Sequence, residues 1–300
     1  MQGINNMTNI NSPTFCGATQ LFKKRILEQS QSFYELSKQI DSPYVGSLPN
    51  EIIRDIISLS KSPQDKKNII MQVMDGFSKT AECIYKQIDA EKDSCITRAF
   101  NRIWEFLTEL NIKNSEYKYC PQYTPEEKNK FCKPASLLLT KTLKKTGILR
   151  NDERVEMSYI GDGSYKNAFS IKFPKRTGYS PKVISIFKAE DRNLEDMLNG
   201  PVRTSGLLPE LNMSVYINNQ HQKKSPFIKT YFGSIKDNFI LSDDANYIPT
   251  GKELNNEIFK KMNLIHWDLR EENIVNGWIV DLGGLKMRSP RLVKPHQCKL

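Results

Sequence analysis

At 300 residues and 34.6 kDa, the chain has length for one or two domains and a sizeable core. Apolar residues make up 38% and charged residues 26%, and no apolar run approaches the ~18 residues of a membrane-spanning helix, so a spanning role is not expected. A net charge of +10 suits anionic partners, phosphate above all, while the lack of zinc-type Cys/His spacing or basic–aromatic interleaving argues against nucleic acid.

The cysteines, Cys16, Cys83, Cys95, Cys120, Cys132 and Cys298, are scattered without a Cys-x-x-Cys pair. A core of this size needs no disulfide staples, so free thiols in a reducing compartment are expected, with Cys120–Cys132 the one pairing left open. Residues 1–14 are rich in Asn, Thr, Ser, Met and Gln and lack periodicity, which predicts a disordered leader. They also lack the basic-then-apolar order of a signal peptide.

Residues 15–133 read as a helical bundle domain. Leu21, Phe22, Ile26, Phe33, Leu36 and Ile40 recur at roughly helical spacing, and Ser42-Pro43 breaks the run. A second helix opens after Leu48-Pro49 and carries Ile52, Ile53, Ile56 and Ile57. A third runs from about Pro63 through Val73, Phe77, Ile84 and Ile88, and a fourth holds Ile96, Phe100, Trp104 and Leu107. The stretch from Leu48 to Ile57 resembles the opening of an F-box, a ubiquitin-ligase adaptor, although Leu-Pro before a period-3.6 apolar pattern is also ordinary helix-start chemistry. Asn114 to Lys133, with Pro121, Pro125 and three tyrosines, reads as a linker. Ala135 to Gly147 reads as a further helix ending on a glycine cap, so the second domain is set at 134–300.

After Asn151 the pattern turns to strands. Val155–Ile160 and Ala168–Phe173 flank Gly161-Asp162-Gly163-Ser164-Tyr165-Lys166, a hairpin whose bare glycines let backbone N–H groups approach phosphate. Val183–Lys188 reads as a third strand ending in a lysine. A helix opens at Pro209-Glu210, and Phe227–Gly233 and Asn238–Leu241 complete five antiparallel strands. Ser242-Asp243-Asp244 then reads as a connection, and Asn255–Met262 as a short helix.

The chemistry is concentrated in His266-Trp267-Asp268-Leu269-Arg270-Glu271-Glu272-Asn273, followed by an apolar hairpin and Asp281-Leu282-Gly283. Phosphoryl transfer needs a carboxylate to accept a hydroxyl proton, and an amide with a second carboxylate to hold Mg²⁺ on phosphates. Asp268, Asn273 and Asp281 have those groups.

The spacing resembles the catalytic and metal loops of protein kinases. That resemblance implies an α+β fold: a minimal kinase-like domain with a five-stranded antiparallel N-lobe and a truncated C-lobe, joined to the N-terminal helical domain. It also implies ATP and Mg²⁺ as cofactors. Gly161, Gly163 and Ser164 would cover the nucleotide, and Lys188 would bind the α- and β-phosphates. Glu210 would pair with Lys188, with Glu195 as rival. Asp268 would act as base, with Asn273 and Asp281 as metal ligands. Lys166 departs from the pattern where the third loop glycine is usual, Trp267 where Arg is usual and Glu271 where Pro is usual. Arg270 stands where kinases acting on Ser/Thr carry a cation near the γ-phosphoryl, favouring a serine/threonine protein substrate.

The sequence runs only sixteen residues past Gly284 and has no Ala-Pro-Glu motif. This plan is similar to the small truncated kinase effectors secreted by Gram-negative bacteria. It implies delivery by a type III-like system into host cytoplasm, a host protein substrate and an activating host protein. Ile274, Trp278, Ile279 and Leu285 then need cover, expected from the helical bundle or a partner. Two alternatives are a small-molecule phosphotransferase and a catalytically silent adaptor working through the helical domain.

Overall fold

A computed structural model of the chain describes residues 43–92, 124–163, 166–188, 207–220, 225–251, 256–266 and 269–287. The leader, the expected helices over 21–40 and 96–110, Glu195 and four of the six cysteines lie outside the described residues. Cys83 and Cys132 are free thiols, and burial pushes Cys132 up to about 11.

The architecture is α+β, built on a six-stranded antiparallel sheet rather than the expected five. Strands β2 (Glu156–Asp162), β3 (Lys166–Lys172), β4 (Lys182–Phe187), β5 (Thr230–Ser234) and β6 (Phe239–Asp243) come from the second half of the chain. The sixth, β1 (Tyr44–Gly46), comes from the segment read as a helix break and pairs with β5, giving the order β1-β5-β6-β4-β3-β2. Gly46 sits at φ 113°, and a Cβ there would lie 2.2 Å from the Tyr231 carbonyl, so only glycine lets β1 dock.

Helix α1 (Asn50–Leu59) turns Ile52 and Ile56 to the core, and α2 (Pro63–Lys92) buries Val73, Phe77, Ala81 and Ile84 at helical spacing. Of the stretch expected as a linker, residues 114–123 lie outside the described residues, and the rest instead starts helix α3 (Pro125–Lys145). Thr124 and Glu127 form a capping box, with Pro125 in the first turn, and this start signal outweighs the polar composition that suggested a loop. Pro134 lies inside the helix on its exposed side.

Helix α3 crosses the position expected to divide the domains, and a single core runs through both parts. Side chains of α1, α2 and α3 pack with Phe169, Ile171, Ile184, Ile186, Phe232, Phe239 and Leu241 of the sheet. The Phe77 and Phe232 rings meet edge to face at 5.7 Å. Lys182, fully buried, joins Glu51 of α1 at 2.6 Å to Asp243 of β6 at 2.8 Å. Helix α3 also closes the outer edge of β2. Asn129 accepts the Tyr159 N–H at 2.8 Å, Ser136 donates to the Val155 carbonyl at 2.6 Å, and Thr140 accepts the Val155 N–H at 3.1 Å.

The opposite sheet face carries helix α4 (Leu207–Gln220), whose Leu207 and Leu211 pack on Phe187 and Ile240. Below lie helix α5 (Asn256–Lys261) and three small pairings: β7 (Leu264–His266) with β10 (Leu285–Met287), and β8 (Ile274–Val275) with β9 (Trp278–Ile279) across the Asn276-Gly277 turn, while Phe227 bridges in parallel to Ile279. Asn276 and Gly277 take φ 49° and 76°, the geometry of a tight two-residue hairpin. Among the described residues the cover over Ile279 and Leu285 is local, from Ile217, Phe227, Phe259, Met262 and Leu264, while α1, α2 and α3 pack on the far side of the sheet.

If helices and sheet share one core, Phe77→Ala should destabilise the whole by about 3–5 kcal/mol. Urea unfolding followed by circular dichroism and by tryptophan fluorescence should remain one coincident transition. Two separated transitions would show that the helices fold apart from the sheet.

Candidate active site

Strand β4 and the residue after it read Val183-Ile184-Ser185-Ile186-Phe187-Lys188, almost uniformly apolar before the lysine, so sequence alone gives the strand no phase. The fold supplies one: Ile184 and Ile186 face the α1–α3 core, and Phe187 faces α4. Lys188 follows one residue out of phase with the cleft face. It is therefore not the lysine that meets Glu210. Its Nζ donates to the Gly163 carbonyl at 2.6 Å and lies 4.0 Å from the Asp162 carboxylate.

The lysine at Glu210 is Lys166, the residue standing in place of the third loop glycine. It is the cross-strand partner of Phe187 and so projects into the space that Phe187 leaves. Its Nζ lies 2.6 and 2.9 Å from the two Glu210 oxygens and 3.1 Å from Asp281 Oδ1. Three segments distant in sequence thus converge on one ammonium. Sequence reading misses Lys166, although a cation replacing an expected glycine beside the loop is the available signal.

Burial works against the charge on Lys166, but the Glu210 and Asp281 carboxylates outweigh it and hold the ammonium above its ordinary pKa. Burial is also the largest influence on Glu210. Lys166 opposes it, the Asp281 charge reinforces it, and the carboxyl is pushed up to about 7. Asp281 goes the other way: burial would raise it, but Lys166 and the Gly283 N–H keep it below the usual carboxylate range. Its carboxylate accepts from Lys166 and, at 3.2 Å, from the Gly283 N–H, both on Oδ1.

The lower side of the site is fixed by backbone. His266 Nε2 donates to the Asp281 carbonyl at 2.9 Å. A Cβ on Gly284 would lie 2.5 Å from His266 Cε1, so the ring needs glycine there. Asn273 ends a short 3-10 turn, and its carbonyl accepts the Val280 N–H at 2.9 Å, which sets Asn273 beside the residue preceding Asp281. Asn276 ties the same hairpin to the segment after β6 through the Ala245 and Ile248 carbonyls at 3.1 and 3.0 Å. Strand β6 extends through Asp243, so the segment expected to connect from Ser242 begins two residues later, at Asp244.

Asp268, Trp267 and Ser164 lie outside the described residues. Arg270 is exposed at the start of the turn leading to Asn273. Gly161 and Gly163 border open space: a Cβ on either would meet nothing within 4 Å, and neither is at positive φ. Among the described residues no group of three His, Cys, Asp or Glu side chains forms a metal cluster. No known family's model matches this chain, and no curated protein does.

Because Glu210 sits above its unfolded value of 4.5, its contribution to stability is full below that pH and is lost as pH rises through about 7. The urea midpoint should therefore fall over this window in the wild type, and Glu210→Gln should flatten the fall. Gly284→Ala should release the His266–Asp281 bond, seen as a changed imidazole NMR signal.

Proposed function

We propose that the protein is an ATP- and Mg²⁺-dependent protein kinase acting on serine or threonine. The observation that carries this reading is the Lys166–Glu210–Asp281 triad beneath an antiparallel sheet whose glycine hairpin borders open space. A lysine fixed between two carboxylates, one on a helix and one on the lower loop, is the arrangement phosphoryl transfer uses to hold a nucleotide's phosphates.

Lys166, rather than Lys188, would neutralise the α- and β-phosphates, with Glu210 fixing its position. Neither packing nor backbone conformation requires glycine at 161 or 163, so the absent side chains make room for a ligand. Asn273 and Asp281 offer the hard oxygen donors that Mg²⁺ takes, and the ion would neutralise charge on the triphosphate. Asp268 would accept the proton of the attacking hydroxyl as its oxygen bonds to the γ-phosphorus and the bond to the departing ADP oxygen breaks. Arg270 would stabilise charge on the transferring group and favour Ser/Thr acceptors.

We further propose a protein substrate in a host cell reached by type III-like secretion, a reading supported by the Asn-, Thr- and Ser-rich composition of residues 1–14 alone. Among the described residues no helix is long and apolar enough to cross a membrane.

Transfer of labelled phosphate from Mg-ATP to a serine- and threonine-rich protein acceptor tests this. Lys166→Met and Asp281→Asn should each lower the rate on the order of thousand-fold. Lys188→Met should lose no more than about tenfold, because its bond is to loop backbone. Equal transfer by wild type and Asp268→Ala would remove the catalytic role.

A further inference from the structure

The glycine hairpin is held from outside the cleft by a helix with no place in the chemistry above. Lys128 of α3 is buried, and its Nζ donates to the Tyr159 hydroxyl at 2.8 Å and lies 3.0 Å from Asp162 Oδ2. The Tyr159 hydroxyl in turn donates to Asp162 Oδ1. Lys188 approaches the same carboxylate at 4.0 Å and bonds the carbonyl of the next residue, Gly163, at 2.6 Å. Burial would raise the Asp162 carboxyl, but the tyrosine hydroxyl and the two ammoniums hold it below its ordinary value.

We propose that Lys128, acting through Asp162, is a positioning residue that sets the hairpin for nucleotide, making helix α3 part of the nucleotide-binding unit. This rests on the kinase reading above. Asp162 lies between the two glycines, the bonds to it come from the side of the sheet away from Lys166, and a glycine-flanked turn has little rigidity of its own. An anchor from behind can fix such a backbone without occupying the phosphate side. It would act by reducing the ordering that ligand binding otherwise requires. Lys188 acquires a role in the same way, since with Lys128 it forms a two-cation clamp on Asp162-Gly163 while Lys166 faces the cleft.

The experiment measures Mg-ATP affinity, KM and kcat, together with hydrogen exchange over residues 160–166, for the full chain. Lys128→Met should raise Kd and KM for ATP about five- to tenfold at near-constant kcat, as expected for losing a charge-assisted bond. Exchange in the hairpin should quicken, and Lys128→Arg should restore much of the affinity. Asp162→Asn removes the partner carboxylate without touching the core and should reproduce the effect, which guards against a folding defect in the first variant. Wild type that binds ATP while both variants match it in KM and exchange would overturn the proposal alone. Wild type that binds no nucleotide would overturn the kinase reading and this one with it.

Discussion

A lysine ammonium withdrawn from water must be met by carboxylates, and Lys166 is met by two, from a helix 44 residues onward and a loop 115 residues onward. Removing Lys166 would leave two carboxylates facing each other with no cation between them, whereas removing either carboxylate would leave a single ion pair. The surrounding architecture serves to keep the three together. Leu207 and Leu211 seat helix α4 so that Glu210 faces the sheet, and His266 holds the Asp281 carbonyl so that its carboxylate reaches upward. The triad is thus both the site's electrostatic centre and the joint between the sheet and the small lower part.

The sheet mediates between two apolar layers of different origin. Its Ile184 and Ile186 side meets the N-terminal helices, and its Phe187 and Ile240 side meets α4. A fully buried lysine, Lys182, repeats the same device on the other face, tying Glu51 of α1 to Asp243 at the end of β6. The cation–carboxylate nodes on the two faces make each layer's position depend on the sheet.

Much of this is legible in the sequence. The glycine hairpin, the order of the later strands, Glu210 at a helix start and the Asn276-Gly277 turn follow from period and turn chemistry. Sequence alone pairs Glu210 with Lys188 in place of Lys166 because β4 is apolar on both faces, and a strand without alternation conceals which side the residue after it takes. Strand β1 escapes detection because three residues carry no period, and its pairing depends on a distant strand and a glycine that lets the backbones touch. The start of α3 is hidden by prolines and tyrosines, although Thr124 and Glu127 spell out its cap. The shared core of helices and sheet is hidden for a related reason: amphipathic helices announce that they need a partner surface, not that the surface is a sheet encoded far along the chain.

Strand β2 lies at one edge of the sheet, and the Asn129, Ser136 and Thr140 side chains of α3 meet the backbone groups of Tyr159 and of Val155 just before the strand. These polar side chains act as a sheath on a surface that would otherwise template further strands. Excising the first 150 residues to isolate the later half would unsheathe that ribbon. Intermolecular β-assembly would then be the characteristic failure of such a fragment, rather than a simple loss of helix.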